Sequence, residues 1–158
     1  ELKCRDVEGA NVVTRNSDWV IYNPTTYEAS KLIRGQNAVW CTGRHNDDHY
    51  FRSYTSDGGR LYIFIDSHNP DNKYQMAVRG NSNSVRELRD RGNSSVTVKS
   101  LVIQFPTLAD LWFKTEPFKD LYEVQEAKKF ATPEFRQTMK DIYDAVLKAN
   151  EEAMAEKE

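Results

Sequence analysis

The chain has 158 residues, a formal net charge of −2, 39% hydrophobic residues and 29% charged residues. This length and hydrophobic content are enough for the core of one domain, or of a small domain with a helical appendage. No apolar run approaches the roughly 20 residues that a membrane-spanning helix needs. Two cysteines, Cys4 and Cys41, do not make a disulfide framework, and two free thiols are favoured over a single Cys4–Cys41 bridge. The composition therefore predicts a soluble protein with no global bias towards nucleic acid.

Six short β-prone runs, each bounded by turn residues, predict strands. They cover residues 11–14, 19–22, 38–42, 61–66, 73–79 and 95–105. The turn sequence at residues 67–72 predicts an antiparallel pairing of the fourth and fifth runs. Asp57-Gly58-Gly59 predicts a hairpin turn. The polar stretch 80–93 predicts a loop with at most one helical turn around residues 85–89.

Helices are predicted where apolar residues recur at steps of three and four. Thr26 is a suitable N-cap for a helix over residues 27–33, and Gly35 is a suitable C-terminal stop. One or two helical turns are predicted over residues 48–54. Three further helices are predicted near the C-terminus, over residues 108–113 and 116–130 and from Pro133 onward, with Thr132 as the last N-cap.

These elements together predict an α+β fold. An antiparallel β-meander with one short packed helix is expected over residues 1–105. A helical C-terminal subdomain is expected over residues 106–158. A small core of its own would be supplied by the aromatic residues Phe105, Trp112, Phe113, Phe118 and Tyr122.

The stretch from residue 18 to residue 78 carries several motifs in a characteristic order. They are Asp18-Trp19-Val20-Ile21, Glu28-Ala29-Ser30, Trp40-Cys41-Thr42, Gly59-Arg60-Leu61-Tyr62 and Lys73-Tyr74. In this order and spacing the stretch resembles a family of bacteriophage and mobile-element proteins. The family usually has Gly-Thr before the tryptophan, and this chain does not. The resemblance implies a small mixed α/β module, a phage setting and a location in the host cytoplasm or the virion, and it supplies no catalytic residues.

Cys41, His45 and His49 have the spacing Cys-x3-His-x3-His. On a continuous helix they would share one face, and a thiolate with two imidazoles suits tetrahedral zinc. Cys41 could alternatively act as a nucleophile with either histidine as its base. Because the intervening residues disfavour a continuous helix, a buried cysteine with ordinary loop histidines is the simpler interpretation. We therefore expect no metal and no cofactor.

A second resemblance concerns residues 39–44 together with residues 59–62. This pair of segments resembles ADP-ribosyltransferases, which hold nicotinamide on a similar strand and follow it with a Gly-x-x-Tyr segment. The resemblance implies a small nucleotide-dependent transferase with a site around residues 40–44 and 50–62, in which Arg60 is a candidate catalytic residue. Cys41 stands where those enzymes have histidine, and no suitable catalytic glutamate follows.

Basic residues are concentrated between residues 79 and 99, although the whole chain is slightly acidic. They are Arg79, Arg86, Arg89, Arg91 and Lys99. Such residues could contact phosphates, with Tyr62 or Tyr74 as stacking platforms, which suggests a nucleic-acid-binding accessory protein. The alternative is an ordinary solvated loop.

The last predicted helix is amphipathic, because its apolar residues Phe135, Met139, Ile142 and Val146 recur at steps of three and four. The pattern favours packing on the same domain and leaves a protein partner or a second copy as the alternative. From these observations we expect a phage-encoded, non-enzymatic accessory or interaction protein. It would act through surface contacts with a protein partner or with itself, with nucleic acid as a possible partner and no membrane.

Overall fold

The computed structural model describes residues 6–35, 38–40, 42 and 48–156. Within these residues the chain forms a five-stranded antiparallel sheet, whose strands pair in chain order. The strands are β1 (Ala10–Arg15), β2 (Trp19–Pro24), β3 (Arg60–Asp66), β4 (Lys73–Val78) and β5 (Val85–Asp90). The helices are α1 (Tyr27–Arg34), α2 (His49–Thr55), α3 (Val98–Gln104), α4 (Pro106–Lys114), α5 (Tyr122–Ala127) and α6 (Pro133–Glu156). The predicted α+β fold with a β-meander is confirmed.

Both faces of the sheet are covered, since successive side chains of a strand point to opposite faces. Tyr62 and Phe64 of β3 face α3, α4 and α5, and form the larger core with them. Ile63 and Ile65 face α1 and the segment 38–40, and form the smaller core. We call these two sides the C-terminal face and the α1 face.

The C-terminal helices share the core of the sheet. Phe64 lies edge-on to Trp112, with ring centroids 5.2 Å apart, and also contacts Phe118 at 5.7 Å. Tyr62 contacts Phe118 at 4.8 Å. Of the aromatic residues expected to form a separate core, Trp112 and Phe118 therefore pack on the sheet instead, Phe105 and Phe113 are partly buried against the same core, and Tyr122 is exposed. The division between residues 1–105 and 106–158 stays a prediction.

α1 begins and ends where the sequence predicts. The Thr26 side chain accepts a hydrogen bond from the Ala29 backbone N–H at 3.1 Å, which caps the first turn. Gly35 ends the helix with a positive φ of 68°, a conformation that glycine adopts without steric cost. Ala29 and Ile33 are buried against the sheet.

Polar side chains on the α1 face tie this layer to the sheet. Lys73 is only 6% exposed, and its Nζ donates to the Arg34 carbonyl at 2.9 Å and to the Ile33 carbonyl at 3.4 Å. Burial lowers the pKa of Lys73 below its usual value. The Thr42 hydroxyl lies 2.9 Å from the Gln75 side-chain oxygen and donates to it. These contacts hold the end of α1 and Thr42 over β4.

Two predicted strands are wrong. Residues 38–40 form no strand, although Trp40 is buried as expected and its Nε1 donates to the Asp90 carbonyl at 2.6 Å. The segment 95–105 contains α3 instead of a strand. Its buried residues Val98, Leu101 and Val102 follow a helical spacing, and burying that face outweighs the β-propensity of its branched residues.

The loop predicted over residues 80–93 and the hairpin at residues 57–59 are also wrong. β5 runs through the first of these segments and pairs with β4. The second segment is a short 3-10 turn that joins α2 to β3, with Asp57 at φ 54°. It is no hairpin, because the residues before it form a helix and β3 pairs with β2 and β4.

The two edge strands of the sheet differ. The outer edge of β5 is partly covered, since Val96 N–H donates to the Leu88 carbonyl at 3.0 Å and Asp90 N–H donates to the Ser94 carbonyl at 3.0 Å. β1 forms the opposite edge and carries a bulge between Val12 and Thr14. The sheet therefore has one covered edge and one irregular edge.

Candidate functional site

α6 has its beginning fixed on the rest of the chain. Thr132 caps it by accepting a hydrogen bond from the Phe135 N–H at 3.1 Å, as predicted. The Phe135 ring lies edge-on to Phe130 at 5.2 Å, and Arg136 lies 3.9 Å from the Asp110 carboxylate. These contacts attach the first turn and a half to the helical layer.

The rest of α6 extends away from the body of the protein, a name we give to the sheet together with the helices that precede α6. The helix has 24 residues and none is buried. Phe135, Arg136 and Met139 are half-buried, whereas every residue from 140 to 156 is exposed. At 1.5 Å per residue the exposed part is about 25 Å long. The expectation that this helix packs on its own domain is therefore wrong beyond Met139.

One side of this extension is apolar. Large hydrophobic side chains are rarely exposed in such numbers on one element, and here they form a continuous strip. Their exposed fractions are 51% for Ile142, 66% for Tyr143, 54% for Val146, 45% for Leu147 and 67% for Met154. Ala149 and Ala153 complete the strip, and at about 100° per residue the seven side chains span roughly 160° of the helix. We call these seven residues the α6 apolar face.

The opposite side of the extension is acidic. Residues 140–156 carry two lysines and five carboxylates. Lys140 donates to Asp144 at 3.1 Å, one turn further along the helix. Such a polar side repels phosphate and anionic lipid headgroups, so it disfavours nucleic acid and an anionic membrane surface as partners. In the described part of the chain, no helix is long and apolar enough to cross a membrane.

The sequence predicted part of this surface. Of the four partner-binding candidates, Phe135 and Met139 are half-buried, while Ile142 and Val146 are exposed. Tyr143, Leu147 and Met154 were missed. They are spaced by four and seven residues, so they form a second row on the helix beside Ile142 and Val146. This spacing is visible in the sequence and could have identified them.

The predicted basic residues do not form one surface. Arg79 and Arg86 line an open pocket of about 520 Å³ with Ser53 and Ser56. Arg86 lies over the Tyr54 ring, 4.3 Å from its centroid. Arg89 lines a neighbouring pocket together with Arg86 and pairs with Glu87 at 3.2 Å. Arg91 lines a separate pocket of about 680 Å³, and Lys99 lies over the Phe130 ring.

The cysteine and histidine candidates can be placed only in part. Cys4, Cys41 and His45 lie outside the described residues. His49 is the first residue of α2 and is exposed, with its ring 5.4 Å from that of Tyr50. Among the residues that the structure describes, no group of three could hold a metal ion.

The segments that resemble ADP-ribosyltransferases are separated by the sheet. Trp40 belongs to the core on the α1 face, whereas Tyr62 belongs to the core on the C-terminal face. Arg60 lies two residues before Tyr62 on β3 and faces the same side of the sheet. Burial raises the pKa of the Tyr62 hydroxyl. Five pockets lined by described residues include neither His49 nor Arg60.

Comparisons with protein-family models, with curated proteins and with solved structures found no match for this chain. The resemblance of residues 18–78 to phage and mobile-element proteins therefore stays a prediction.

Proposed function

We propose that this chain is a phage-encoded, non-enzymatic interaction protein, and that the α6 apolar face is the surface through which it binds another protein. The observation that carries the proposal is the exposed extension of α6, from Lys140 to Glu156, with large apolar side chains along one side. The phage setting and the host cytoplasm or virion as the location rest on the sequence resemblance alone.

Two physical arguments support a protein as the occupant. An isolated helix of this length is only marginally stable in water, so a partner that covers its apolar side would stabilise it. The acidic polar side disfavours nucleic acid and anionic lipid. A protein groove or a second helix that accepts residues at steps of three and four would cover the apolar side and would leave the acidic side in water.

Two variants test the proposal. Val146→Glu places a charge in the middle of the α6 apolar face. Ala155→Glu places the same charge about 180° away on the same helix and is the matched control. Immobilised wild-type and variant chains are exposed to a bacterial extract, and each retained protein is identified, purified and titrated. We expect one protein to bind the wild type and Ala155→Glu alike, and Val146→Glu at least ten-fold more weakly.

If no purified protein, including the chain itself, distinguishes Val146→Glu from Ala155→Glu, the α6 apolar face is not a binding surface. Far-UV circular dichroism of both variants excludes loss of the helix as the cause, since glutamate has a higher helix propensity than valine.

A phosphate-binding role is the second candidate, and one observation favours it. Arg79 and Arg86 meet at one pocket with two serine hydroxyls, beside the aromatic ring of Tyr54. Fluorescence anisotropy with a labelled single-stranded oligonucleotide tests this role. Arg79→Ala with Arg86→Ala should abolish a salt-dependent signal, whereas Lys148→Ala on α6 should keep it. Absence of salt-dependent binding by the wild type rejects the role.

The transferase alternative stays a prediction. The placement of Trp40 and Tyr62 on opposite faces of the sheet gives it no support.

A further inference from the structure

We propose that the occupant of the α6 apolar face is the same face of a second copy of this chain, with the two helices antiparallel. The inference rests on the proposed function and names its partner. Three independent features of the extension carry it: the order of side-chain sizes, the position of the body, and the apolar area.

The order of side-chain sizes favours self-pairing. Ile142, Val146, Ala149 and Ala153 recur at steps of four, three and four, which is the spacing of a seam between two helices. In an antiparallel pair whose two-fold axis passes between residues 147 and 148, Ile142 lies opposite Ala153 of the second copy. Val146 then lies opposite Ala149 of that copy. Each large residue meets a small one, so the seam has an even width.

A parallel pair would pack this seam poorly. Alanines would lie opposite alanines at its C-terminal end, and the large residues would lie opposite one another at its beginning. The seam would be wide at one end and open at the other. Uneven packing of this kind forfeits contacts, because a gap leaves its lining atoms without partners.

The position of the body excludes a parallel pair on the same face. Phe135 and Arg136 project from the same sector of α6 as the α6 apolar face, and both contact the chain's own body. Two parallel helices joined through this sector would therefore bring both bodies to the same place. In an antiparallel pair centred near residue 148 the bodies lie at opposite ends of the helix pair.

The apolar area limits the pair to a weak dimer. Five large side chains are each 45% to 67% exposed. At about 100 Å² for each, complete burial of all five in both copies would cover about 1,000 Å², which is near the lower limit for specific interfaces. Leu147 and Met154 lie more than about 100° around the helix from the seam, so the pair buries less than this. The dimer should therefore dissociate on dilution.

Sedimentation equilibrium of the purified chain over a range of concentrations tests the inference. The wild type and Ala155→Glu should approach twice the mass of the chain as concentration rises, and Val146→Glu should keep the mass of one chain. A wild-type chain that stays monomeric at every concentration overturns the inference, as does a dimer that persists in Val146→Glu. If the wild type is monomeric and another purified protein binds the α6 apolar face, the proposed function stands and only self-pairing is wrong.

Disulfide cross-linking tests the direction of the pair. The double variant Ile142→Cys with Ala153→Cys should form covalent dimers under mild oxidation, because these positions face each other only in the antiparallel arrangement. Ile142→Cys alone should form no more dimer than the unmodified chain, whose native cysteines set the background. Efficient cross-linking of Ile142→Cys alone overturns the antiparallel pairing.

Discussion

Replacing Lys73 by methionine tests how the α1 layer is held on the sheet. Methionine keeps an unbranched apolar stem of similar length and removes the ammonium group. That group donates to the Arg34 and Ile33 carbonyls, which lie at the C-terminus of α1 and lack partners within the helix. The cation also faces the negative end of the helix dipole.

The change in the free energy of unfolding caused by Lys73→Met is the difference between two opposing effects. Leaving two buried carbonyls unpaired costs about 1–3 kcal/mol each. Removing a cation that is disfavoured by burial returns part of this cost. We expect Lys73→Met to lower the free energy of unfolding by about 2 kcal/mol at pH 7, which corresponds to about 4–8 °C in Tm for a chain of this size.

The difference between wild type and variant should also depend on pH. Burial lowers the pKa of Lys73 in the folded state, whereas the unfolded chain keeps the usual value of 10.5. Between these two pKa values the unfolded state binds more protons than the folded state. The stability of the wild type relative to Lys73→Met should therefore rise with pH in this window and be constant below it. Tyr62 and Tyr74 titrate in both proteins, so their contribution cancels in the difference.

Urea unfolding followed by tryptophan fluorescence at several pH values measures both effects. Lys114→Met is the control, because Lys114 is an exposed lysine at the end of α4 and should change the free energy of unfolding by less than about 0.5 kcal/mol. If Lys73→Met is as stable as the wild type at pH 7, the two carbonyl contacts do not hold α1. A difference that falls with pH would contradict the lowered pKa.

Three further changes test other parts of the fold. Trp40→Phe removes the hydrogen bond to the Asp90 carbonyl and should cost about 1–3 kcal/mol in urea unfolding, and no loss would mean that this bond is absent. Phe64→Ala should cost about 3–5 kcal/mol because the side chain is fully buried between sheet and helices, and a cost below about 1 kcal/mol would contradict the shared core. A chain that ends at Lys140 should keep the unfolding midpoint of the full chain at a concentration where the latter is monomeric, whereas a lower midpoint would show that residues 141–156 do contact the body.

Local signals made much of the fold predictable. Thr26 and Gly35 define the two ends of α1 by chemistry that needs no tertiary context, namely a side-chain acceptor and a residue that tolerates positive φ. The pairing of β3 with β4 follows from a strong turn between two alternating runs. These elements lie where sequence pattern and tertiary structure agree.

α3 and β5 could not be predicted in the same way. The branched residues of α3 have high β-propensity, but the helical layer buries Val98, Leu101 and Val102 on one side. Thr97 caps this helix by accepting from the Ser100 N–H at 3.1 Å, a signal that the alternating valines obscured. β5 consists mostly of charged residues and buries only Leu88 within its span, so its hydrophobic pattern is weak. It pairs with β4 as a hairpin, with Val85 opposite Val78, but the polar residues of the turn and of the strand merge into one stretch in the sequence.

The apolar stripe of α6 was predictable, whereas its exposure was not. Periodicity shows that Ile142 and Val146 share a side of the helix and says nothing about what covers that side. Whether that side is exposed depends on how far the sheet and the preceding helices extend along α6, and therefore on where α4 and α5 end. The contacts of Phe135 and Arg136 place that limit near Met139.

The bulge in β1 has a consequence for how copies of this chain can aggregate. A sheet grows when a new strand finds an unbroken row of N–H and C=O groups at an edge. The irregularity between Val12 and Thr14 interrupts that row at one edge, and the bonds from Asp90 and Val96 occupy part of the other. Neither edge offers a regular template for amyloid-like stacking. The self-pairing proposed for the α6 apolar face would therefore use a helical surface instead of a sheet edge.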